Sequence, residues 1–78
     1  MTEKALKKLT DLQRETLTTY REYYRRNSGY IELWNDTKDK LVANGYKYKI
    51  LGYLEALKDT EHITEQERKA LAIYFTLK

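Results

Sequence analysis

By residue type, His62 is the side chain best suited to chemistry. It follows Glu61 and stands three before Glu65. A histidine beside carboxylates can act as a general base or ligate a metal, but either role needs further ligands or a nucleophile nearby. None is visible. The chain has one His and no Cys, so a Cys-ligated zinc is excluded. The pattern favours an ordinary turn histidine. Asp36, Asp39, Asp59, Glu61, Glu65 and Glu67 could in principle form an acid/base or Mg²⁺ site, provided they converged in a cleft. They fall instead at expected turns and helix starts, where capping and the helix dipole account for them. No catalytic, cofactor or metal site is assigned, and the chain reads as non-enzymatic.

The second chemical pattern is aromatic and basic. Tyr20-Arg21-Glu22-Tyr23-Tyr24-Arg25-Arg26 interleaves the two types, as does Tyr46-Lys47-Tyr48-Lys49. Bases stack on rings and phosphates pair with Arg and Lys, so a nucleic-acid surface needs this mixture. Exposed Tyr and Arg also anchor protein–protein contacts. A plainer explanation covers Tyr20, Tyr24, Tyr46 and Tyr53 as core-edge residues with packed rings and wet hydroxyls. Tyr23 and Tyr48 fall off the apolar stripes and are the surplus. The candidate partner-binding residues are therefore Tyr20, Tyr23, Arg25, Arg26, Lys47 and Tyr48. Net charge is +3, a small excess that is compatible with nucleic acid without demanding it.

These residues must be held by helices. There is no Pro and there are only three Gly, so little punctuates the chain. Thr2 to about Arg26 reads as one long helix. Leu6, Leu9, Leu12, Leu17, Tyr20 and Tyr24 fall within roughly 140° of its wheel. Glu22 and Arg26 make a favourable i,i+4 pair. Asn27-Ser28-Gly29 is the expected break. Tyr30 to Asn44 is the second helix, with a weak point at Asn35-Asp36-Thr37 where it could divide in two. Asn44-Gly45 is the expected stop. Tyr46 to Lys58 and Glu65 to about Leu77 are the third and fourth helices.

The last two form the clearest unit, an αα-hairpin. Ile50, Tyr53, Leu54 and Leu57 share one stripe, and Asp59-Thr60-Glu61-His62 makes the turn. Thr64-Glu65-Gln66-Glu67 then fits a capping box: the Thr64 hydroxyl accepts from the Glu67 N–H, and the Glu67 carboxylate from the Thr64 N–H. Ile63 is placed to fold back on the preceding helix. Helix four has two apolar rows, one of Ala70, Ile73 and Leu77 and one of Leu71, Tyr74 and Phe75. A peripheral helix uses one. Either this helix is central, or one row meets a second copy across a two-fold axis, with Ile73, Phe75 and Leu77 at the contact.

The run from Gly52 to Glu67, GYLEALKDTEHITEQE, resembles small helical proteins of phages and mobile elements in Gram-positive bacteria. Its turn also resembles the short C-terminal oligomerisation domain of many bacterial proteins, although His62 stands where that family usually has Gly. The resemblance implies a mobile-element origin and a role in protein–protein contact, and it carries over no catalytic residue.

The expected architecture is an all-α four-helix bundle, a single domain over 1–78, with a C-terminal αα-hairpin. The expected function is a protein-interaction module, a regulator or inhibitor of a host protein. The alternative is a nucleic-acid binder in which Leu41 to Leu57 forms a helix-turn-helix about Asn44-Gly45, with Lys47 and Lys49 at the start of its second helix. No apolar run nears the ~20 residues that span a bilayer, and no signal-peptide pattern occurs. The expected location is the host cytoplasm, with a host protein or a second copy as partner and no membrane or cofactor.

Overall fold

A computed structural model describes the backbone of residues 2–34 and 37–77 and the side chains of residues 2–26 and 44–77. Within these residues the fold is all-α: α1 is Thr2–Lys8, α2 Asp11–Trp34, α3 Thr37–Asp59 and α4 Glu65–Thr76. There is no strand among them. The four-helix architecture and the C-terminal hairpin are as the sequence implies. Three of the helix boundaries are not.

The first helix divides near Leu9-Thr10. The cause is a capping box in Thr10-Asp11-Leu12-Gln13. The Gln13 N–H donates to Thr10 Oγ1 at 3.1 Å, and the Thr10 N–H donates to Gln13 Oε1 at 2.9 Å. Arg14 closes the end of α1, its Nη2 donating to the Leu6 and Leu9 carbonyls at 3.4 and 3.5 Å. Two reciprocal bonds at one end and a guanidinium at the other satisfy groups that a continuous helix would have paired internally. The break changes the register. Leu6 and Leu9 still pack, but Leu12 leaves the apolar stripe and is 72% exposed.

The helix does not stop at Asn27-Ser28-Gly29, nor does it stop at Asn44-Gly45; both lie inside helices. Gly45 has no left-handed backbone, and no described glycine does. Pairing between α2 and α3 along their length outweighs the ~1 kcal/mol that a helical glycine costs. No turn exists at Asn44-Gly45, so the helix-turn-helix over Leu41 to Leu57 is overturned. The proposed division at Asn35 falls on Asn35 and Asp36, outside the described residues.

Helix direction follows from side-chain contacts. Tyr20 meets Tyr53 while Tyr23 meets Tyr46, so α2 and α3 are antiparallel. Lys8 reaches Glu67, Arg21 covers Tyr74 and Arg25 reaches Leu77, so α4 runs parallel to α2. The long α2–α3 pair sets the 40 Å axis of a body 20 Å across. The core collects Leu17 and Tyr24 from α2, Ile50 and Leu54 from α3, and Leu71 and Phe75 from α4. Ala5 brings α1 in at close range, and Leu9 and Ile63 fill in from the connections.

The α3–α4 turn forms as the sequence implies. The Glu67 N–H donates to Thr64 Oγ1 at 3.1 Å, and the Thr64 N–H donates to Glu67 Oε1 at 2.8 Å. Ile63 is buried. Before the cap, the His62 N–H donates to the Leu57 carbonyl and the Glu61 N–H to the Lys58 carbonyl, both at 2.9 Å. This is a Schellman closure, and its left-handed residue is Glu61, at φ 62°.

Candidate partner-binding surface

The aromatic–basic residues gather along one seam between α2 and α3. Tyr23 and Tyr46 stack with centroids 5.0 Å apart and planes 15° from parallel. Tyr20 packs at 6.2 Å from Tyr46 and edge-on to Tyr53 at 6.5 Å. Two cations lie over these rings. Lys49 Nζ is 5.0 Å from the Tyr46 centroid and 5.7 Å from that of Tyr20, and the Arg26 guanidinium is 5.5 Å from that of Tyr23. The spacing is helical: positions 20, 23 and 26 lie along one edge of α2, and positions 46, 49 and 53 along one edge of α3. Cation–ring attraction, worth about 0.5–1 kcal/mol at an exposed site, biases these two long side chains toward the rings.

The six residues expected from sequence separate into three places. Tyr20, Tyr23 and Arg26 form the seam, joined by Tyr46, Lys49 and Tyr53. Arg25 lies on the other edge of α2, where its Nε donates to the Leu77 carbonyl at 3.1 Å and ties down the end of α4. Arg25 therefore stands apart from the seam, exposed and bonded to the end of the chain's last helix. Lys47 and Tyr48 are exposed, Tyr48 by 70%. At ~100° per residue, Tyr48 points away from the core and Lys47 lies on the flank opposite Lys49, so neither joins the seam. The Glu22–Arg26 ion pair does not form, because Arg26 turns onto the Tyr23 ring.

On α4, Leu71 and Phe75 are in the core, while Ile73 is 64% and Leu77 53% exposed. Phe75 is thus removed from the expected self-association contact. Its row belongs to the monomer core, and the outer row keeps only Ile73 and Leu77, with Ala70 half-buried.

His62 has a structural position. Its Nε2 lies 2.8 Å from the Lys8 carbonyl oxygen, which can only accept, so the ring donates from Nε2. Beside it, Lys8 Nζ donates to Glu67 Oε1 at 2.9 Å. Glu67 is buried, and the Lys8 ammonium together with the Thr64 N–H holds its pKa down to about 2. Glu65, paired with Arg68, is likewise lowered to about 2. The Lys8–Glu67 pair and the His62–Lys8 bond staple the end of α1 to the α3–α4 turn and the start of α4. The cap was visible in the sequence; its partners in α1, fifty or more residues away, were not. Among the described residues no three His, Asp or Glu side chains are grouped so as to hold a metal ion. No described helix is long and apolar enough to cross a membrane.

Compared with models of protein families, with curated proteins and with solved structures, the chain matches none.

Proposed function

We propose that this chain is a non-enzymatic protein-interaction module, a regulator or inhibitor of a host protein carried by a phage or mobile element and acting in the host cytoplasm. The observation that carries the interaction reading is the Tyr23–Tyr46 stack with Arg26 and Lys49 fixed over it. Rigid aromatic and guanidinium groups at a surface bind with little loss of conformational freedom. The mobile-element origin rests on the resemblance of Gly52 to Glu67 alone. Self-association is a second element of the proposal, and Ile73 and Leu77 are the residues for it.

The test is capture of a host protein by the full chain, with and without nuclease. Capture should survive nuclease and fall with Tyr23→Ala, whose helical circular dichroism stays intact. Capture abolished by nuclease would replace this reading with nucleic-acid binding.

A further inference from the structure

The seam also indicates the chemistry of what it binds. Among the described residues the ion pairs are Lys8–Glu67, Lys58–Asp59, Lys58–Glu65 and Arg68–Glu65, all at the α1 end or the α3–α4 turn. Among the described residues, neither Lys49 nor Arg26 has a carboxylate within ion-pair distance. Both are exposed, and both are held in place by rings. A ring quadrupole fixes a cation without neutralising its charge. Two preorganised positive groups therefore border a shared aromatic floor, with their charge still available.

We propose that the seam takes an acidic peptide segment of a partner protein, with side-chain carboxylates on Lys49 and Arg26 and its apolar atoms against the ring edges of Tyr23 and Tyr46 that the stack leaves open. This rests on the interaction-module reading and adds the class of partner. Carboxylates suit the site better than nucleobases. Base stacking needs an open ring face. Here Tyr23 and Tyr46 cover one another, and the two cations cover those rings again. A carboxylate approaches the cations from solvent and leaves the stack undisturbed. Arg offers it a two-pronged donor, and Lys a point charge.

The experiment titrates the full chain with a fluorescent glutamate-rich peptide and, separately, with a single-stranded thymidylate oligonucleotide of equal charge. Binding is read by polarisation and by nuclear magnetic resonance shifts of the tyrosine and lysine side chains. The peptide should shift Tyr23, Tyr46 and Lys49, and Lys49→Gln with Arg26→Gln should weaken it by about tenfold or more. Lys69→Gln, on the outer side of α4, should leave the affinity unchanged. Should the double variant unfold, the shift map of the unaltered chain still decides the matter. Absence of peptide binding, shifts centred away from the seam, or tighter binding of the oligonucleotide would each overturn the acidic-segment proposal. If the peptide fails while host-protein capture still depends on Tyr23, only the partner class is lost and the interaction-module reading stands.

Discussion

Glu61→Gly should make the protein more stable, which is unusual for deletion of a side chain. Glu61 closes the Schellman turn after α3 at φ 62°, where an L-residue's Cβ crowds the backbone carbonyl. That crowding costs about 1–2 kcal/mol, and glycine does not incur it. Against this, glycine gives the unfolded chain more freedom, worth about 0.4–1 kcal/mol. The net expectation is a gain of roughly 0.5–1 kcal/mol, or about 2–8 °C in melting temperature for a domain of this size. Glu61 also places a negative charge near the negative end of the α3 dipole, so removing the charge alone could help. Glu61→Gln measures that part, because it keeps the Cβ. Thermal and urea melts of the two variants separate the causes. If Glu61→Gly melts no higher than Glu61→Gln, the left-handed strain is not the reason, and the turn has been misread.

Three further outcomes follow from local geometry. Gly45→Ala should stabilise by about 0.5–1 kcal/mol in urea unfolding, since Gly45 is helical and an added Cβ would meet nothing within 4 Å; a loss would restore the turn expected there. Thr64→Ala should cost ~1 kcal/mol by the same measurement, the usual loss of an N-cap; an unchanged midpoint would contradict the capping box. Glu67 and Glu65 are depressed from 4.5 to about 2, so the stability they confer is complete above pH 4.5 and is lost as pH falls toward 2. Glu67→Gln keeps an acceptor for the Thr64 N–H but not the Lys8 ion pair, and melting temperature against pH should be flatter for it across that window. An identical slope would mean that Lys8–Glu67 contributes nothing.

The sequence was most legible where the signal was local. Thr64, Glu67 and Ile63 lie within a few positions of one another and specify the turn together. The same four-residue pattern at Thr10 to Gln13 was available and marks the break between α1 and α2. It was masked by an apolar spacing, Leu6 to Leu17, that looks continuous on a helical wheel. The two glycine signals failed for the opposite reason. Gly29 and Gly45 favour a stop locally, but pairing of two antiparallel helices is a long-range gain that overrides a local preference. The left-handed position went to Glu61 instead, which composition would not pick. At the candidate surface, residue type singled out two stretches, but not which of their side chains lie together. Tyr20, Tyr23 and Arg26 belong to the seam, while Arg25, one residue away, faces α4. Lys49 and Tyr46 join the seam because α3 packs antiparallel against α2 there, a contact that local spacing does not reveal.

The most direct test of the seam as the binding surface is the reactivity of the Lys49 amine. Brief acylation of the free protein and of its captured complex, read by mass spectrometry residue by residue, reports which lysines the partner covers. Lys47, on the opposite flank of α3, and Lys69, on α4, are internal references, exposed like Lys49. The expected result is protection of Lys49 in the complex with Lys47 and Lys69 unchanged. Protection of Lys69 with Lys49 still reactive would place the partner on α4 and contradict the seam.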